Sequence, residues 1–199
     1  MDLLKLPSSF EKTIARDIAR TYPKHEMFKV TWGEGQENLY NVAKAYSVYD
    51  RDVGYCQGSS FIIGLLLMHM PEEDAFEVFA RLMVSSSYNL RELFKPSMAA
   101  LGLRLFQLEH LIMDHLPEIH STFSCLGIEL SMFASSWFLA MFATTLPLDL
   151  VKRSFDALLC FGEEVIFRLG LALLKVNADV ILSLDMDSMV QYLQVSAFA

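Results

Sequence analysis

The stretch Gly54-Tyr55-Cys56-Gln57-Gly58 places one neutral polar side chain, Gln57, between two glycines and just ahead of a strongly apolar run. Glycines permit a positive φ and let another backbone or a ligand come close. A glutamine amide can accept one hydrogen bond while it donates another. At the start of a buried helix such a side chain must find a partner or face a cleft. The ordinary alternative is a helix cap.

A second polar side chain of interest, Arg20, lies near the end of a predicted helix over about Ser8 to Tyr22. Ser8 followed by Glu11 is a capping-box pattern, which predicts the helix start, and Pro23 predicts its end. Asp17 lies three residues before Arg20, so the two side chains are neighbours on the helix surface. A solvated surface arginine is the ordinary interpretation of Arg20 on its own.

Four motifs along the chain change that interpretation, because together they resemble the TBC domain, the catalytic domain of Rab GTPase-activating proteins. The residues that carry the resemblance are Ile14-x-x-Asp17-x-x-Arg20-Thr21, Gly54-Tyr55-x-Gln57-Gly58, Ser136-Trp137-Phe138-x-x-x-Phe142, and Arg153, Asp156, Leu158 and Leu159 with Gly162. Residues 15–23 and 45–67 are most similar to the subgroup that contains the ecotropic viral integration site and Rab GTPase-activating protein 1-like proteins.

The resemblance implies a mechanism in which two side chains complete the active site of another protein. Arg20 corresponds to the arginine finger, and Gln57 to the glutamine finger that stands in for the Rab's own glutamine. GTP hydrolysis needs an oriented water and passes through a state with charge spread over the γ-phosphoryl oxygens. A guanidinium and an amide suit those two needs. Supporting or Rab-contacting roles are implied for Asp17, Thr21, Gly54, Tyr55 and Gly58.

The same resemblance implies an activator of a GTPase rather than an enzyme with a substrate of its own. The partner is a Rab in its GTP-bound form, and GTP and Mg²⁺ belong to that partner, so no cofactor is expected here. Consistent with this, the chain has no P-loop, and its five histidines lack metal-ligand spacing. We expect a cytoplasmic protein that its Rab recruits to endomembranes, in vesicle trafficking.

Charge and hydropathy exclude other classes of protein. A net charge of −8 argues against a nucleic-acid binder, which needs a basic face. Two runs, 53–71 and 130–148, carry no Lys, Arg, Asp or Glu over 19 residues each, close to the ~20 that span a bilayer. Both runs have acidic flanks and internal polar residues, without the Lys/Arg bias that sets membrane topology. Buried helices of a soluble domain explain them better than a polytopic membrane protein.

Helical periodicity throughout predicts an all-α fold of the TBC type, a single domain over 1–199 with lobes of about 1–90 and 91–199. Helices are expected over about 8–22, 37–49, 58–70, 71–84, 96–116, 118–125, 129–146, 147–161, 163–175, 177–184 and 187–193. Trp137 and Phe138 are expected in the core. Cys56, Cys125 and Cys160 are expected as buried thiols rather than disulfide partners.

The sequence departs from the family in one respect. Family members carry further helices, with an Arg-x-x-x-Trp motif, upstream of the first motif, and this sequence has only nineteen residues before Arg20. We therefore expect an N-terminally truncated domain in which the support of Arg20 is weakened. The alternative that follows is a non-catalytic Rab-binding effector or pseudo-activator.

Overall fold

A computed structural model describes residues 3–196, and this part of the chain contains helices and no strand. It therefore confirms the all-α prediction. Residues 1–2 and 197–199, which the predicted domain includes, lie outside the described residues. The α-helices are α1 (Glu11–Ile18), α2 (Glu34–Tyr49), α3 (Ser59–Leu67), α4 (Glu72–Val84), α5 (Leu90–Phe94), α6 (Ala99–His115), α7 (Pro117–Leu126), α8 (Ser135–Leu139), α9 (Leu148–Phe161), α10 (Glu164–Val176), α11 (Ala178–Ile181) and α12 (Met186–Gln191). There are also short 3₁₀ helices at Leu3–Lys5 and Leu130–Met132 and a π-helix at Tyr192–Ser196.

The chain forms two compact units, 1–98 and 99–199. In the first, α3 is the central helix, and each of its nine residues is buried. A helix that is apolar on all sides needs neighbours on all sides. α2 and α4 pack against it and against each other, and α1 packs against α2 and α3. This arrangement fixes the positions of α1 and of the loop that leads into α3.

The first helix is shorter than predicted at both ends. The Glu11 carboxylate does accept the Ser8 N–H at 3.2 Å, as in a capping box, but the Ser8 hydroxyl accepts from Phe10 N–H, and the helix begins only at Glu11. At its other end α1 stops at Ile18, so Arg20 lies beyond the helix rather than in its last turn. The physical reason is local, since the Thr21 hydroxyl donates to the Asp17 carbonyl at 2.7 Å and Tyr22 takes a left-handed φ of 45°.

In the second unit α6 packs against α7, and α10 packs against α6, α8 and α9. Trp137 and Phe138 are fully buried, as predicted. The prediction of one long helix over 129–146 is wrong. A 3₁₀ turn and the five-residue α8 take its place, because Met141 and Phe142 adopt left-handed backbone angles, which end a helix.

Two further predictions are settled by burial and helix length. Cys56 is buried, whereas Cys125 and Cys160 are exposed near the C-terminal ends of α7 and α9, so the prediction of three buried thiols is wrong for those two. Along residues 3–196, no single helix combines the length and the apolar character that crossing a bilayer requires.

Candidate functional site

The site is organised around a buried carboxylate, Asp17, on the last turn of α1. Its side chain is 2% exposed and accepts hydrogen bonds on both oxygens. Oδ1 accepts from Nε of Arg20 at 2.9 Å. Oδ2 accepts from the Tyr55 hydroxyl at 2.8 Å and from the Gly58 N–H at 3.4 Å. A buried charge is tolerated only when it is paired and hydrogen-bonded, and here the partners are the arginine and both ends of the Tyr55–Gly58 segment.

Arg20 is half exposed, at 44%, and spends only one of its nitrogens on Asp17. Among residues 3–196, no hydrogen-bond partner is found for its two terminal nitrogens. The guanidinium carbon lies 6.0 Å from the centroid of the Phe61 ring, at the outer limit of a cation–π contact. The bond to Asp17 and the aromatic ring therefore orient the guanidinium while its forked end stays available to a partner.

Gln57 belongs to the glutamine loop, which we define as residues 53–58. Within the loop Gln57 is the exposed residue, and all the others are buried. Burial raises the pKa of Tyr55, so its hydroxyl stays protonated and donates to Asp17. The sequence implied only a supporting or Rab-contacting role for Tyr55, and it did not indicate this hydrogen bond because Asp17 lies 38 residues away along the chain.

Contacts and backbone angles within the first unit explain why both of these loop positions are glycine. Gly54 has a φ of +64°, and a Cβ on it would lie 2.3 Å from the ring of Phe10. Gly58 has a φ of +107°, is the N-cap residue of α3, and donates its N–H to Asp17. A side chain at either position would strain the backbone. At Gly54 the space that the sequence assigned to an approaching partner is filled by the Phe10 ring, and the partner contact of both glycines stays a prediction.

Thr21 completes the contacts between the two segments. It is fully buried, and its hydroxyl lies 2.7 Å from the Asp17 carbonyl and 2.9 Å from the Ser60 hydroxyl on α3. Sequence reasoning did not select Ser60 or Phe61, since both lie in an apolar helix start with no pattern that indicates a contact with Arg20 or Thr21. Within residues 3–196, no three His, Cys, Asp or Glu side chains are grouped so that they could hold a metal ion.

Similarity to known protein families identifies the family of this chain. The family described as the Rab-GTPase-TBC domain matches residues 2–182. The chain belongs to the Rab-GTPase-TBC domain family. This TBC domain is 56% identical over 193 residues to the human ecotropic viral integration site 5 protein homolog, covering 97% of the chain and 24% of that protein. It is 50% identical over 194 residues to the Rab GTPase-activating protein eat-17 of Caenorhabditis elegans, covering 97% of the chain and 21% of that protein.

Solved structures agree with the fold. The crystal structure of a Chlamydomonas flagellar RabGAP TBC domain matches with a TM-score of 0.77 and 29% identity, over 94% of this chain and 61% of that one. The Ypt/Rab-GAP domain of Gyp1p matches with a TM-score of 0.79 at 16% identity, over 97% of this chain and 69% of that one. The TBC domain described here thus spans about a quarter of the length of the curated relatives that it matches.

Proposed function

We propose that this TBC domain is a GTPase-activating protein for a Rab-family GTPase, and that it supplies Arg20 and Gln57 in trans to the Rab's nucleotide. The observation that carries the proposal is the double attachment of Asp17. One carboxylate oxygen holds Arg20, and the other holds the residues on either side of Gln57. Two exposed polar side chains are thereby anchored to a single buried group.

Arg20 is the group proposed to stabilise charge on the γ-phosphoryl oxygens. Its Nε is fixed to Asp17, which leaves the two terminal nitrogens to form a bidentate contact with an anionic partner. A guanidinium presents planar donors whose geometry matches a phosphoryl group. Arginine fingers contribute ~10³–10⁵ in rate, which corresponds to roughly 4–7 kcal/mol of barrier.

Gln57 is proposed to orient the attacking water. Its amide can accept a hydrogen bond from the water and donate one to a phosphate oxygen. The side chain is exposed while Tyr55 and Gly58, on either side of it, are buried and hydrogen-bonded to Asp17, which fixes the backbone that carries Gln57. Preorganised groups of this kind need no rearrangement at the moment of reaction.

GTP and Mg²⁺ are proposed to belong to the partner, which binds in its GTP-loaded form, and the TBC domain is proposed to bring no cofactor of its own. Its place would be the cytoplasm, with peripheral recruitment to endomembranes through the membrane-bound Rab and a role in vesicle trafficking. Curated relatives named as Rab GTPase-activating proteins support the choice of partner.

A panel of GTP-loaded Rab proteins, assayed for hydrolysis with and without the domain, tests the proposal. At least one Rab should be stimulated, and Arg20→Ala and Gln57→Ala should each abolish the stimulation. Arg16→Ala and Gln191→Ala are matched controls, because both side chains are exposed and neither donates to the Asp17 carboxylate, whose donors are Arg20, Tyr55 and Gly58. Stimulation that survives both finger substitutions would refute the finger assignment.

The same panel separates activation from the alternative, a non-catalytic Rab-binding module. That alternative predicts binding to GTP-loaded Rab without stimulation, and binding that does not depend on Gln57. Measuring affinity for a Rab loaded with a non-hydrolysable GTP analogue, beside the hydrolysis rate, distinguishes the two.

A further inference from the structure

A second carboxylate holds the other end of the glutamine loop. Asp50 follows α2 directly, and its main-chain carbonyl accepts the Gly54 N–H at 2.7 Å. Its side-chain Oδ1 lies 3.4 Å from the Val53 N–H, and its Oδ2 accepts from the Tyr46 hydroxyl at 3.1 Å. Asp50 therefore fixes the entry of the loop, as Asp17 fixes its exit at Gly58.

Arg91 in turn holds Asp50. Its Nε donates to Oδ2 of Asp50 at 2.7 Å, and its Nη2 donates to Oδ1 at 3.0 Å, which is the bidentate geometry of the strongest arginine–carboxylate pairs. Nη2 also donates to Oδ2 of the exposed Asp52 at 2.9 Å. Burial alone would raise the pKa of Asp50, but the hydrogen bonds from Arg91 and Tyr46 outweigh it and lower the pKa.

The position of Arg91 is itself well defined. It lies on α5, a short helix on which Leu90, Leu93 and Phe94 are all buried. Arg91 lies 41 residues after Asp50 and 39 residues after Asp52, so no local sequence pattern indicates these contacts. One guanidinium thus donates three hydrogen bonds to the turn before the glutamine loop.

We propose that Arg91 is a positioning residue for Gln57, which acts through Asp50 by fixing the entry of the glutamine loop. The proposal rests on the proposed function only for its effect on hydrolysis. Misplacement of a reacting group by about 1 Å can cost about 100-fold in rate even when the substitution lies away from the chemistry. We therefore expect Arg91→Ala to lower the maximal stimulated rate by about 10- to 100-fold, with Rab affinity changed by less than about threefold.

The experiment has two arms, both on the complete chain. Single-turnover hydrolysis by a responsive Rab, titrated with the domain, separates the maximal rate from the half-saturating concentration. Amide hydrogen exchange of the free domain reports on the loop without any Rab. Arg91→Ala should speed exchange at residues 53–58 and leave α1 unchanged, and Arg91→Lys should restore part of the rate because it retains the charge but loses the fork.

Arg81→Ala is the matched control, since Arg81 pairs with Glu77 on the exposed side of α4. Asp52→Asn removes the charge of the second carboxylate that Arg91 contacts and keeps the pair of Arg91 and Asp50, so it tests whether Arg91 acts through Asp50. It should change the rate by less than about threefold, because Asp52 is largely exposed. Unchanged exchange at 53–58 in Arg91→Ala, or exchange that rises evenly through residues 3–98, would overturn the proposal. If Arg20→Ala retains full stimulation, the proposed function fails, and the exchange arm still decides the role of Arg91.

Discussion

Arg20 in the first unit and Arg104 in the second are both paired with a carboxylate. The carboxylate is the more buried member of the first pair, and the arginine is the more buried member of the second. In the first unit the carboxylate of Asp17 is buried and the arginine is 44% exposed. In the second, the Arg104 side chain is 9% exposed and its partner Glu163 is 30% exposed. Arg104 donates to Glu163 from Nε and Nη2 and to Gln107 from Nη1, so its whole fork is occupied.

Within residues 3–196, Arg20 has the free terminal nitrogens that the proposed finger role needs, whereas Arg104 uses all of its nitrogens to stabilise the second unit. Arg104 satisfies its donors inside the second unit, which is what a buried cation requires. Arg20 satisfies one donor and presents the others. The difference lies in how many nitrogens are occupied rather than in whether an ion pair exists, and substitution to lysine tests it in both units because lysine retains the charge and loses the fork.

The largest expected effect is on the hydrolysis rate of Arg20→Lys. The ammonium cannot reproduce both the Nε bond to Asp17 and the bidentate contact proposed for the partner. We expect the stimulated rate to fall at least about 100-fold, which equals about 2.7 kcal/mol of barrier. The free energy of unfolding should change by less than about 1 kcal/mol, since the lysine keeps a charge beside Asp17 and the other carboxylate oxygen keeps its bonds from Tyr55 and Gly58.

Single-turnover hydrolysis and urea unfolding measure these two quantities. Arg16→Lys, on the exposed side of the same helix, is the control and should change neither. A rate within threefold of the wild type would mean that charge alone, and not the fork, is what Arg20 contributes.

Arg104→Lys should show the reverse result. Losing the fork leaves the Glu163 carboxylate and the Gln107 carbonyl short of donors, and we expect the free energy of unfolding to fall by about 2 kcal/mol. Urea unfolding measures the loss, with Arg168→Lys as control, because the Arg168–Glu164 pair on α10 is exposed on both sides. An equal loss in both variants would show that the burial of Arg104 confers no extra stabilisation.

The sequence predicted the contacts that depend on short spacing and missed those that do not. The pair of Asp17 and Arg20 follows from a spacing of three residues, and the burial of Trp137 follows from its apolar surroundings. The pairing of Arg104 with Glu163 spans 59 residues, and that of Arg91 with Asp50 spans 41, so no local pattern indicates either one.

Helix ends and the 129–146 run show a second limit of the sequence. The apolar composition of residues 129–146 correctly predicts that Trp137 and Phe138 are buried. It does not predict that Met141 and Phe142 adopt left-handed angles and break the helix. The end of α1 at Ile18 likewise depends on the Thr21 hydroxyl, a side-chain bond to a backbone carbonyl that competes with the helix. Non-local packing selects such conformations against the local preference of the chain.

Asp17→Asn tests the buried side of the first comparison. An asparagine fills the same space but carries no charge, and its amide nitrogen would face a donor, either Arg20 or Tyr55. We expect the free energy of unfolding to fall by about 1–2 kcal/mol and stimulation to fall with it, because both finger segments lose their common anchor. Urea unfolding and hydrolysis measured on the same preparation check this, with the exposed Asp74→Asn as control. If stability falls but stimulation stays full, Asp17 stabilises the fold without positioning Arg20 and Gln57 for hydrolysis.

The smallest expected effect is the pH dependence of the pair of Asp50 and Arg91. The pKa of Asp50 is lower in the folded protein than its ordinary 3.8, mainly because the hydrogen bonds from Arg91 and Tyr46 outweigh the effect of burial. Folding is therefore stabilised by this group at pH values above 3.8, and that contribution is lost as the pH falls through the lower folded-state value.

Asp50→Asn removes the titrating group and isolates its share. Between pH 6 and pH 3, the wild type should lose about 1 kcal/mol more unfolding free energy than Asp50→Asn, with the difference concentrated below about pH 4. Urea unfolding at several pH values measures both curves. Parallel curves would mean that Arg91 does not distinguish the charged from the neutral form of Asp50, and Arg91 would then resemble an exposed surface arginine more than Arg104.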